Sequence, residues 1–279
     1  MSAISTTLEK LSVGQTTAHN NMAWFPLLDA ASPAADYLTL DEALNQGHAR
    51  VTEVDEGGSV PELMFSNQSA LRVLLLDGEE LVGAKQNRIG NASFLVPGES
   101  AVDIDVSCVE AGRWGRAPGQ AFRESAHVAS SALRREVAGQ VAEARELGVP
   151  GFRASQGEVW EHVEARLGST GTLSASSAYA DYHRSRRSQL DELRGAFRTL
   201  PGQVGFVAAI GDEVTGLEAV GDPRVFEQVF PRLLESYAID AVDAAFVRER
   251  EGAAGVGKAP AFAEPEALLA AAREAPGTE

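Results

Sequence analysis

Residues 102–108 alternate between apolar and polar. Val102, Ile104, Val106, Cys108 and Glu110 fall on one face of an extended segment, and Asp103, Asp105 and Ser107 on the other. A period of two commits this stretch to a β-strand with one apolar side, and therefore commits the chain to a sheet. The apolar row holds the chain's single cysteine and ends in a carboxylate. A carboxylate turned inward at a strand exit needs a cation or hydrogen-bond donors, or it is neutralised. The sequence nearby offers Lys85, Arg88 and Arg113.

The rest of the first third reads as further short strands. Residues 11–18 and 22–28 flank an Asn20-Asn21 turn, and residues 36–47 are expected to form a short helix ending at Gly47. Strands are expected at 50–54, 63–66, 71–76 and 94–96. Asp77-Gly78 sits between apolar runs, which predicts a two-residue hairpin because both residues tolerate positive φ. Glu79 and Glu80 would open its return strand. Helical spacing takes over at 130–147, and Ser155-Gln156-Gly157-Glu158 is a capping box opening the next helix. A third helix is expected over 177–198. Residues 204–210 and 214–220 read as a second hairpin. Asp222-Pro223 then opens a closing helix, in which Pro231 is expected to cause a kink or a split. From about residue 249 the chain is rich in Ala, Gly, Pro and Glu and reads as a flexible tail.

Composition narrows the function classes. The chain has 279 residues and a formal net charge of −16, a surface that repels phosphate backbones and anionic lipids. Nucleic acid and membrane are therefore not the expected partners. No apolar run approaches the roughly 18–20 residues of a membrane span, and the first residues lack the basic and apolar regions of a secretory signal. One cysteine fits a reducing compartment, so the expected location is cytoplasmic.

The polar residues of 77–114 are the candidate site. Lys85 is one of three lysines among 24 basic residues, where arginine is the default cation. An ammonium retained in such a chain is a candidate ligand group, although an ordinary surface lysine explains it equally well. Lys85, Gln86, Asn87 and Arg88 place two amides and two cations in a row, suited to a phosphate or carboxylate. Arg113 and Trp114 could add a phosphate contact and a stacking plane. Glu80 and Glu110 are candidate general acid and base, with Glu79 beside them. Cys108 is a candidate nucleophile, against the alternative of a buried structural thiol. Residues 252–258 match phosphate-loop spacing, but Ala259 replaces the Ser/Thr that would hold magnesium. Glu158 and His162 stand i, i+4 on a helix but lack a third ligand in sequence, so no metal is expected. Residues 183–187 form a basic stripe read as a solvated helix face.

The runs GEELVGAKQNR (78–88), LVPGES (95–100) and VSCVEAGRW (106–114) resemble the ARG and rhodanese-phosphatase-superfamily-associated protein domain, a bacterial family. SQGEVW (155–160), VGFVAAIGDEVTG (204–216) and FPRLLESYAIDA (230–241) fit it too, so the likeness spans roughly residues 5–245. The resemblance implies nucleotide, NAD or ADP-ribose metabolism without a settled activity. It points to the same positions: Glu79, Glu80, Lys85, Gln86, Asn87, Arg88, Cys108, Glu110, Arg113 and Trp114.

The expected fold class is α+β. An N-terminal antiparallel β-sandwich-like region (1–118) would carry the site. A helical region (119–248) with the second hairpin and the closing helix would pack against it as one integrated domain, followed by the tail (249–279). The expected function is binding, with hydrolytic processing left open, of a small phosphorylated ligand of ADP-ribose, NAD or nucleotide type. The alternative is a non-catalytic sensor or interaction module whose polar cluster is a structural ion-pair network. A small-molecule ligand is the expected partner, and a homo-oligomer is left open.

Overall fold

The computed structural model of the chain describes residues 3–29, 34–55, 61–83, 85–112, 122–250, 252 and 269–270. The elements begin with α1 (Ala3–Glu9), β1 (Ser12–Val13), β2 (Thr17–His19), β3 (Met22–Leu28), β4 (Tyr37–Thr39), α2 (Leu40–Asn45) and β5 (Ala49–Glu53). Six strands follow: β6 (Glu62–Asn67), β7 (Arg72–Leu75), β8 (Glu79–Val82), β9 (Arg88–Gly90), β10 (Phe94–Val96) and β11 (Ser100–Cys108). Then come β12 (Arg123–Val128), α3 (Ser131–Glu146), α4 (Gln156–Ser169), α5 (Tyr179–Ser185) and α6 (Arg187–Ala196). The hairpin β13 (Gln203–Ile210) and β14 (Glu213–Ala219) leads into α7 (Pro223–Arg250). The fold is α+β, and β4 with β7 is the parallel pair in otherwise antiparallel sheets.

The chain divides into two compact units, residues 1–35 with 191–279, and residues 36–190. The division expected at residue 118 is not where the contacts break. The second hairpin pairs with an N-terminal strand instead of joining the preceding helices, which a reading of sequential blocks cannot anticipate.

The first unit is organised by β3. β1 and β2 pair along one of its edges and β13 along the other, with β14 beyond. Residues 22–27 are all buried, so both faces of β3 are covered and the strand reads as a continuous apolar run. Pro26 is tolerated inside it for a geometric reason. Its carbonyl accepts from Gly14 N at 2.8 Å, so its missing amide faces the break between β1 and β2. Ala23, Phe25 and Leu27 share a core with Val204, Val207, Ala209 and Leu269. Leu269 is 2% exposed and is one of few described residues in the stretch read as a tail. The 252–258 segment falls almost wholly outside the described residues. Trp24 turns the other way. It stacks on Phe206 with centroids 3.5 Å apart and meets Phe230 and Tyr237 edge-on. Asp222 caps α7, accepting from the Arg224 and Val225 amides at 2.6 and 3.2 Å. The helix runs unbroken through Pro231, where a split was an expected outcome. An interior proline costs about 3 kcal/mol, and the burial of Phe226, Phe230, Leu233, Leu234 and Tyr237 on both sides of it offsets that.

The second unit holds a six-stranded sheet, ordered β12-β8-β9-β11-β6-β5, and a three-stranded one, β10-β7-β4. Leu40, Val51, Phe65, Val73, Leu75, Leu81 and Ile104 form its core. Two expectations change here. The predicted 36–47 helix starts late, because residues 37–39 pair with β7 as a strand and Thr39 then caps α2 in a reciprocal box with Glu42. Asp77-Gly78 makes a turn but no hairpin: β7 and β8 belong to different sheets, and the dipeptide is the corner between them. Gly78 has φ +75°, and a Cβ there would lie 2.6 Å from the Arg134 side chain, so glycine is required. Arg134 Nε and its terminal nitrogen donate to Asp77 at 2.9 and 3.1 Å, and the Ser93 hydroxyl donates at 2.9 Å. Burial pushes the Asp77 carboxyl up, but the Arg134 charge and these hydrogen bonds outweigh it and hold the group below its usual value. The predicted third helix is two helices, α5 and α6, separated at Arg186.

Helix α3 follows Ser130, whose hydroxyl accepts from the Leu133 amide, and α4 begins at the predicted cap, Ser155. Gln156, at the start of α4, does more than continue the helix. Its Oε1 accepts from Cys108 N at 2.8 Å and its Nε2 donates to Cys108 O at 2.9 Å. The side-chain amide thus bonds β11 as the peptide of a neighbouring strand would.

Candidate functional site

Alternation along β11 puts Ile104, Val106 and Cys108 into the core, and Glu110 follows at the strand exit, 6% exposed. The inward carboxylate accepts hydrogen bonds from neutral groups. Its Oε1 accepts from the Ser176 hydroxyl at 3.1 Å and its Oε2 from the Asn87 amide at 3.3 Å. The Glu110 carbonyl accepts from Gln86 Nε2 at 3.0 Å and from the Cys108 thiol at 3.4 Å.

Ser176 is brought in by backbone pairing. Gly112 N donates to Ser176 O at 2.8 Å, Tyr179 N donates to Val109 O at 2.9 Å, and Glu110 forms a bridge with Ala178. The loop before α5 is thereby laid along the exit of β11. A Cβ on Gly112 would sit 2.8 Å from Ser176 Cα, so this close approach admits only glycine. Thr172 and Ser185 join their hydroxyls at 2.9 Å, tying the loop to α5.

An open pocket of about 590 Å³ lies over this junction. Asn87 and Glu110 line it from the sheet, and Leu173, Ser176, Asp181, Arg184 and Ser185 from the loop and α5. Glu110 is the buried acid of the pocket, whereas the Arg184 side chain is 77% exposed and ion-paired with Asp181.

A family model for the ARG and Rhodanese-Phosphatase-superfamily-associated Protein domain matches residues 10–279. The chain belongs to this family. No curated protein and no solved structure matches it.

The sequence-predicted residues of this ARG and rhodanese-phosphatase-superfamily-associated domain separate into three groups. Asn87 and Glu110 line the pocket. Glu79, Glu80, Gln86, Arg88 and Cys108 are buried behind it. Glu80 accepts from Asn87 Nδ2 at 3.3 Å, Arg88 donates to Gln86 Oε1 at 3.2 Å, and Glu79 accepts from Leu76 N at 2.8 Å at the corner. Lys85 is half-buried and outside the pocket lining, and its backbone amide donates to Glu53 at 3.2 Å. Arg113 and Trp114 lie outside the described residues.

Cys108 is fully buried, and burial pushes its thiol up, against the opposing pull of the Glu110 backbone N–H, which donates to the sulfur at 3.4 Å, and of the Arg88 charge. A neutral thiol in the core is a poor nucleophile. His162 Nδ1 pairs with Glu136 at 2.7 Å, while Glu158 accepts from Gln140 at 2.8 Å, so the i, i+4 pair is divided between other partners. The stripe read as solvated is mixed: Arg184 is exposed, but His183 is buried and stacks on His127 at 3.9 Å. Ser176, Asp181, Arg184 and Ser185 were missed because their place in the pocket depends on a pairing with residues about 66 positions away. Among the described residues, no helix is long and apolar enough to cross a membrane.

Proposed function

We propose that this domain binds a small, hydroxyl-bearing phosphorylated ligand of ADP-ribose, NAD or nucleotide type in the pocket between β11 and α5. The observation that carries this reading is Glu110, a buried carboxylate facing an open pocket and already accepting a hydroxyl from Ser176. A ligand hydroxyl can replace that of Ser176 with the same chemistry, and a carboxylate is a natural acceptor for ribose hydroxyls. Arg184 stands at the rim, where a guanidinium can take a phosphoryl oxygen pair. The net charge of −16 opposes anions, so hydroxyl recognition supplies most of the affinity. If the ligand is hydrolysed, Glu110 is the acid–base group, and Glu80 acts only by positioning Asn87. A cytoplasmic location, without nucleic-acid or membrane partners, agrees with the acidic surface and the buried free thiol.

Calorimetric titration of the full chain with ADP-ribose, NAD and AMP tests this. At least one is expected to bind, and Glu110→Gln is expected to weaken it about tenfold to a hundredfold, the scale of a hydrogen bond to a charged group. Absence of binding by all three, or equal affinity in E110Q, overturns the proposal.

A second reading is favoured by a different observation. Glu79, Glu80, Gln86 and Arg88 are all buried and hydrogen-bonded within the fold, as expected of a structural network in a sensor or interaction module. Under it, Glu110→Ala lowers stability with no ligand effect.

A further inference from the structure

We infer that Asp181 selects the phosphoryl group this pocket accepts, admitting a singly charged phosphodiester over a terminal phosphomonoester. This rests on the reading of the pocket as a phosphorylated-ligand site and concerns which members of that class it takes.

The argument is one of charge balance. Among the described residues lining the pocket, the ionisable groups are Glu110, Asp181 and Arg184. Two carboxylates therefore face one guanidinium. Arg184 lies one helical turn after Asp181 and is ion-paired with it, with Asp181 14% exposed and Arg184 77% exposed. An anion reaching Arg184 must share it with a carboxylate that is shielded on the α5 surface and cannot move far. A phosphodiester brings about one negative charge and meets the guanidinium with one competitor present. A phosphomonoester carries about −1.5 to −2 near neutral pH, and its additional charge faces Asp181 and Glu110 without a further cation among the described lining residues. Like charges at close range oppose binding, and salt weakens that opposition at an exposed rim. Asp181 thus acts on specificity without contributing attraction of its own.

The test uses a matched pair that differs by one charge, AMP and its 5′-methyl phosphodiester, titrated calorimetrically into the full chain at one pH and low salt. The wild type is expected to favour the diester about two- to fivefold, the range of an exposed charge pair. Asp181→Asn is expected to bring the two close to equal, mainly by tightening AMP. Asp181→Glu keeps the charge and is expected to keep the preference, which separates charge from any effect of altered packing. Equal affinity of the two probes for the wild type, or an unchanged ratio in D181N, overturns the inference and leaves the pocket reading standing. If neither probe binds, the pocket reading falls for nucleotides and this inference falls with it.

Discussion

The two units fill their interiors with different chemistry. Around β3 the interior is dominated by rings: Trp24, Phe206, Phe226, Phe230 and Tyr237 pack against one another, with Asn21, Gln203 and Glu235 among the buried polar side chains. Around β8, β9 and β11 the buried side chains include Glu79, Glu80, Gln86, Asn87, Arg88, Ser107 and Glu110. Apolar packing is non-directional and tolerates imprecision, whereas each buried polar group must meet a partner in good geometry or cost free energy. The second kind of interior fixes side chains in place at some cost to stability.

The sharpest way to break this contrast is Trp24→Ala. Truncating a buried aromatic costs about 3–5 kcal/mol, and urea unfolding should read a loss of that size. A loss below about 1 kcal/mol would mean the ring stack is not what organises the first unit. Next in size is Arg134→Met, which strips the Asp77 corner of its buried cation. A loss of about 1–3 kcal/mol is expected, with the change also appearing in the acid limb. Asp77 sits below its usual value in the folded state. Its contribution is therefore full above the unfolded carboxyl's pKa of about 3.9 and is lost as pH falls through the lower folded value. In R134M, stability should accordingly fall less steeply on acidification below about pH 4. Equal slopes in both proteins would contradict the assigned cause.

A smaller effect, about 1 kcal/mol or somewhat more, is expected for Cys108→Ser, which puts a more polar hydroxyl in the core. The matching chemical prediction is that Cys108 resists iodoacetamide in the native protein and reacts once denatured, followed by mass spectrometry. Rapid native alkylation would revive thiol chemistry. The smallest change should come from Arg184→Ala. Its side chain is largely in water, so stability should stay within about 0.5 kcal/mol, while affinity for a phosphorylated ligand drops measurably. Loss of stability without loss of affinity would move Arg184 out of the site.

How much of this was legible follows from the range of each signal. The β11 alternation, the Ser155 and Asp222 caps and the second hairpin read over 204–220 are local patterns, and each appears close to where the residues placed it. Asp77-Gly78 announced a turn correctly but carried no information about which sheet the next strand joins. Arg88 and Gln86 were recognisable as donors, yet nothing local says that they face each other under the pocket instead of opening into it. The wall formed by Ser176, Asp181 and Arg184 arises from backbone pairing between distant segments, beyond what periodicity can reveal.

Gln156 has a further consequence. On the side of β11 away from β9, strand pairing with β6 ends at Asp105, Val106 N still reaches Pro61 O at 2.9 Å, and the Cys108 peptide groups beyond would be open to recruitment by another extended chain. A glutamine amide fills the Cys108 position with one donor and one acceptor, then stops, because it has no following residue to extend the ladder. Replacing it with leucine would leave those two groups bare. The variant should be prone to self-association through strand addition, visible as thioflavin-positive aggregates on mild warming.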